Sequence, residues 1–274
     1  VRSSAASDVY KRQHLVYAIA LIMGMEACAA SVKKQAEAKP DVWKSYNVGT
    51  VLFEDKASET KGSDIYHRII PDAESYIKEQ ARTVLATLYN SPEDSITPVN
   101  KIHYTLEDIE GISAKGGGNG DVTIFYSTRH IEKSFAKNDT AKLFFETRGV
   151  LLHELTHAYQ LEPQGIGSYG TNRVFWAFIE GMADAVRVAN GGFDGPNARP
   201  KGGNYMDGYR TAGYFFVWLR DNKDPEFLRK FNRSTLEVIP WSFDGAIKHV
   251  LGDEYNIDEL WHEYQVAVGD IQAQ

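Results

Sequence analysis

The sequence predicts an α+β domain in which a mixed sheet packs on a long apolar helix and a mainly helical second half follows. Three observations carry this reading. Strand-like runs at residues 48–53, 101–106 and Asp121–Ser127 all lie in the first half of the chain. Residues 143–160 read as one long, largely apolar helix. Beyond it, apolar residues recur at helical spacing in Arg173–Ala189, 208–220 and 257–268.

Taken in order, the first strand candidate precedes a helix opened by Pro71, a residue suited to a first helical turn. Its apolar face is Ile77, Ala81, Val84, Leu85 and Leu88. Asp121–Ser127 alternates, with Val122, Ile124 and Tyr126 on one face and Thr123, Phe125 and Ser127 on the other. The glycine-rich stretch before it, residues 116–120, lacks the strand-then-helix context of a phosphate cradle and reads as a turn. Residues 190–204, rich in Gly, Pro and Asn, form a connector able to rim a cleft. No internal repeat is present.

The chain has 274 residues, 43% of them hydrophobic, which suffices for a single large core. A formal net charge of −7 gives no basic footprint for nucleic acid, so no nucleic-acid partner is expected. The single cysteine, Cys28, excludes an internal disulfide and a thiolate metal site. Aromatic residues make up 12% of the chain and read first as core.

Residues 1–13 read like translated sequencing-adapter DNA and are set aside from the fold. Residues 14–39 read as an export signal and linker. The apolar run Leu15-Val-Tyr-Ala-Ile-Ala-Leu-Ile-Met-Gly-Met25 is short for a membrane span and fits a signal-peptide core. Cys28 at its end suggests a lipoprotein signal, whose lipidated cysteine would tether the protein to a membrane, although Met25-Glu26-Ala27 departs from the usual pattern. Free secretion is the alternative. Either way the expected location is extracytoplasmic, with residues 40–274 as the functional domain.

The chemistry is concentrated in His153-Glu154-Leu155-Thr156-His157. Helical residues four apart differ by one turn and about 40°, so both imidazoles face one way and can grip one metal ion. Glu154 stands beside them as a general base within reach of a water on the metal. Two histidines and a glutamate on so apolar a helix would be costly without a shared partner. The third ligand is expected from the next helix, where Glu180 and Asp184 share a face. Their Glu-x-x-x-Asp arrangement resembles the thermolysin-like gluzincins, which implies that Glu180 would complete a His-His-Glu set favouring Zn2+ and that Asp184 would hold a ligand imidazole by hydrogen bond. Gly181 would let this helix approach the histidine helix closely. No third histidine follows at metzincin spacing.

Four blocks resemble the plant basic secretory protein family and its bacterial relatives. They are Thr147-Arg-Gly-Val-Leu-Leu-His-Glu-Leu-Thr-His-Ala-Tyr-Gln160, Phe178-Ile-Glu-Gly-Met-Ala-Asp-Ala-Val-Arg187, Asp207-Gly-Tyr-Arg-Thr-Ala-Gly-Tyr-Phe-Phe-Val-Trp218 and Ile257-Asp-Glu-Leu-Trp-His-Glu-Tyr264. The similarity runs in order over residues 48–269. It implies an exported zincin-type zinc metallopeptidase with His153, His157 and Glu180 on the metal and Glu154 as base. Its substrate would be a protein, peptide or glycoprotein. It also implies that Asp121–Ser127 is the sheet edge on which an extended peptide pairs. Tyr209, in the third block, is the first candidate for an oxyanion stabiliser, with Tyr214 and Tyr169 as rivals. Two other functions share this signature: a non-catalytic zinc-containing module binding glycan or protein, and a zinc hydrolase of cell-wall peptide amides. The intact Glu154 weighs against the module, because a structural metal site needs no base. The remaining histidines, His67, His103, His130, His249 and His262, form no ligand pair and read as structural or surface residues.

Overall fold

A computed structural model describes residues 41–272 apart from Asp194 and Pro196. The readings of residues 1–39, including Cys28, lie outside the described residues.

Four strands form one mixed sheet in the order β1-β2-β4-β3. They are β1 (Thr50–Asp55), β2 (Lys101–Glu107), β3 (Ser113–Gly118) and β4 (Asp121–Ser127). The first two and β4 are parallel, and β3 lies antiparallel on the edge. Two sequence expectations are corrected here. Asp121–Ser127 is an inner strand, paired on both sides, so it cannot accept another strand. Gly116–Gly118 belong to β3, and only Asn119 and Gly120, both at positive φ, make the turn into β4. β3 reads Ser-Ala-Lys-Gly-Gly-Gly, with no β-branched or aromatic residue, so it carries no strand propensity. Its backbone bonds to β4 hold it in place.

Nine helices stand among the described residues. In the first half, α1 (Lys61–Ile69), α2 (Ala73–Leu88) and α3 (Thr128–Ser134) are capped by the side chains of Thr60, Asp72 and Ser127. The expected apolar face of α2 is fully buried. The second half holds α4 (Thr140–Tyr159), α5 (Arg173–Ala189), α6 (Tyr209–Asn222), α7 (Phe227–Glu237), α8 (Phe243–Leu251) and α9 (Ile257–Ala267). α1, α3, α7 and α8 were not legible in the sequence. α1, α3 and α8 have nine residues or fewer, too short for a decisive period.

The aromatic residues are mostly core, as expected. Phe178 packs edge-to-face against Phe231 and Trp241, and Phe216 packs against Phe231. Burying each such ring stabilises the helical half by about 1.5–3 kcal/mol. α5 and α6 meet through glycines. A Cβ on Gly181 would stand 2.7 Å from Ala212 Cβ, and one on Gly213 would stand 2.9 Å from the Ala185 backbone nitrogen. Gly181 therefore serves the α5–α6 contact, not the expected approach to the histidine helix. On the α4 side the needed glycine is Gly149, where any Cβ would strike the Arg187 guanidinium.

Candidate metal centre

α4 begins with Asp139 accepting a hydrogen bond from the Lys142 backbone and ends where Gln160 turns extended. Between those limits it buries Leu151, Leu152 and Leu155 and turns His153, Glu154 and His157 into a cleft of about 1040 Å³. α5, capped by Asn172, turns Glu180 and Asp184 into the same cleft.

His153 Nε2 and His157 Nε2 lie 3.0 Å apart. Glu180 Oε2 lies 3.3 Å from the first and 3.6 Å from the second. These three atoms form the one group of His, Cys, Asp or Glu among the described residues able to hold a metal ion. A tetrahedral ion bonded at roughly 2.0–2.1 Å separates its ligand atoms by roughly 3.3 Å, which fits the triangle. Glu180 Oε2 is buried and has no hydrogen-bond partner. A buried carboxylate oxygen left open toward two imidazole nitrogens is the donor arrangement a cation satisfies.

Neighbouring residues fix each ligand. Asp184 Oδ1 accepts from His153 Nδ1 at 2.7 Å, which leaves Nε2 facing His157 and Glu180. Gln160 contacts His157 Nδ1 at 2.8 Å through its side-chain amide. The Tyr169 hydroxyl donates to Glu180 Oε1 at 2.6 Å. Burial disfavours a charged His153, yet the hydrogen bond to Asp184 and the facing carboxylates of Glu180, Asp184 and Glu154 outweigh it and push its pKa up to about 10. Burial likewise opposes ionised Glu180, but the His153 and His157 imidazoles facing it and the hydrogen bond from Tyr169 hold it well below the usual carboxylate range.

Glu154 is 6% exposed, lines the cleft and makes no hydrogen bond or ion pair of its own among the described residues. Tyr209 is 47% exposed and lines the cleft, so it is not a packed core tyrosine. Its ring stacks on His153 at 6.0 Å and meets Trp176 edge-on at 5.4 Å. Burial and the charges of Glu180, Asp184 and Glu154 raise its pKa, so it stays a hydroxyl donor. Gly208 puts it there: at φ 65° and ψ −158° the chain passes directly against Trp176 and Glu180. Of the rival tyrosines, Tyr169 is engaged by Glu180, and Tyr214 bonds the Phe193 carbonyl at 3.1 Å outside the cleft lining. His67, His103, His130 and His249 pair with carboxylates away from the ligand triangle.

The sequence reading passed over Gln160, Arg187 and Phe193, all of which line the cleft. Gln160 follows His157 by three positions and Arg187 follows Asp184 by three, so same-face spacing on each helix was the available signal. Phe193 comes from the connector expected to rim a cleft.

The two-helix His-His-Glu cluster thus lies in a cleft that Ser113, Ala114 and Lys115 of the edge strand β3 also line. The family model described as peptidase of plants and bacteria matches residues 48–264. The chain therefore belongs to that family, the basic secretory protein peptidases. No curated protein and no solved structure matches it.

Proposed function

We propose that the protein is a zincin-type, zinc-dependent metallopeptidase of the gluzincin kind, acting on peptides or proteins outside the cytoplasm. The observation that carries this is the ligand triangle with its unpartnered buried Glu180 oxygen. His153, His157 and Glu180 would hold the ion. When bound there, zinc supplies Lewis acidity toward a carbonyl oxygen and acidifies water. Glu154, buried and unpaired beside the cluster, takes the proton of the attacking water and passes it to the leaving amine. Tyr209 donates its hydroxyl proton in a hydrogen bond to the carbonyl oxygen as negative charge develops there. Asp184 and Tyr169 keep His153 and Glu180 in register during this. Of the two edge strands, β1 and β3, it is β3 whose Ser113, Ala114 and Lys115 line the cleft, so it takes the peptide-pairing role in place of β4.

The test is cleavage of a mixed peptide library by the zinc-loaded protein. Cleavage that a chelator stops and zinc restores supports the reading. A protein carrying one zinc that leaves every peptide intact would overturn it.

A further inference from the structure

The cleft continues beyond the ligand cluster. Glu180, Asp184 and Arg187 follow one another at i, i+4 and i+7 on α5, so Arg187 lies on the same face, roughly 10 Å along the axis from Glu180. Arg187 is only 7% exposed, yet it lines the cleft. One guanidinium nitrogen donates to Glu146 Oε2 at 2.7 Å, while Nε is buried with no hydrogen-bond partner. The Phe193 ring covers the guanidinium at 3.9 Å, and the Arg210 guanidinium approaches the same ring at 5.4 Å. Phe193 sits at φ 60°, a conformation rare for a bulky residue, and Tyr214 grips its carbonyl there. Arg210 is exposed, and its one described hydrogen bond goes to the Ala198 carbonyl. Among the described residues that line this end of the cleft, two guanidinium groups stand with one carboxylate, Glu146. The centre, with Glu154, Glu180 and Asp184, has the opposite sign.

We propose that Arg187, Arg210 and Phe193 form a subsite for a substrate carboxylate two to three residues from the scissile bond. An extended peptide advances about 3.3 Å per residue, so a distance of roughly 10 Å from the metal centre falls at that position. Phe193 supplies an apolar wall, Arg187 a fixed positive charge held between that ring and Gly149, and Arg210 an exposed guanidinium at the mouth that can reach the ligand. The carboxylate is either a Glu side chain or the peptide's own C-terminus. The assignment of the scissile position rests on the peptidase reading above.

The experiment measures binding of paired peptides to zinc-loaded Glu154→Gln protein, so that turnover does not intervene. One pair differs by Glu or Gln three residues from the scissile position, the other by a free or amidated C-terminus there. The acidic member of at least one pair should bind roughly tenfold tighter or more, as expected for a hydrogen bond to a charged group. Arg210→Ala in the same background should erase that preference, and Arg210→Lys should retain part of it. A preference confined to the Glu/Gln pair assigns the side chain, and one confined to the acid/amide pair assigns the C-terminus. Equal binding within both pairs, including none detectable, overturns the subsite, as does a preference untouched by Arg210→Ala. Should wild-type protein cleave none of the four peptides, the peptidase reading fails separately, because the binding ratio still reports on the subsite.

Discussion

Adding one methyl group at Gly208 tests how the chain delivers Tyr209 to the site. At φ 65° and ψ −158° the backbone occupies a region essentially reserved for glycine, and any other residue pays about 1–3 kcal/mol of strain. A Cβ would also stand 2.8 and 3.0 Å from Trp176 ring atoms and 3.3 Å from Glu180 Cβ. Such overpacking costs about 1–3 kcal/mol more. For a domain of this size each kcal/mol lowers the melting temperature by about 2–4 °C. Gly208→Ala should therefore melt roughly 5–15 °C below wild type in a calorimetric scan. Its metal content should persist, since the ligands come from α4 and α5, while turnover falls as Tyr209 is displaced. Gly170→Ala is the control, because a Cβ there meets nothing within 4 Å and its φ is not positive. A Gly208→Ala melting temperature equal to that of Gly170→Ala would refute the reasoning.

Glu154→Gln should keep its metal and lose turnover by roughly 10²–10⁴-fold, the usual contribution of a general base; elemental analysis and a peptide assay on one sample check both halves. Tyr209→Phe should lower kcat by roughly 10²–10³-fold with little change in KM, and an unchanged kcat would remove it as the oxyanion donor. The metal-free protein should depend on pH through His153. Its folded-state pKa of about 10 lies above the ordinary 6.5. The resulting stabilisation is complete below about 6.5 and is lost as pH rises through about 10, so the melting temperature should fall across that window. Zinc should abolish that fall, and its uptake near neutral pH should release a proton, seen as a buffer-dependent heat in calorimetry. A flat pH profile for the metal-free protein would contradict the assigned network.

The parts of the fold with a strong period were legible. Arg173–Ala189 was read with its true limits, and α2, α4, α6 and α9 were read to within a few residues. Each has a long apolar face that only one geometry can bury. β3 was missed because a Ser-Ala-Lys-Gly-Gly-Gly strand exists through backbone pairing with β4 and leaves no side-chain trace. That omission also put the sheet edge one strand too far in. Gly181 was rightly marked as a close-approach residue but given the wrong partner, because its spacing does not say which neighbouring helix it faces. In the site, i,i+4 pairs on two helices were enough to foresee which side chains converge. What local spacing could not supply was the long-range part. Tyr169 on Glu180 and Phe193 over Arg187 depend on how the connectors fold back over α5.

The zinc content of the purified protein, wild type beside Glu180→Ala, tests the central claim most directly. Elemental analysis after incubation with zinc at neutral pH should give about one ion per chain in wild type and a clear loss in the variant, because two imidazoles alone make an incomplete site. Equal metal in both proteins, or none in wild type, would contradict a centre built from His153, His157 and Glu180.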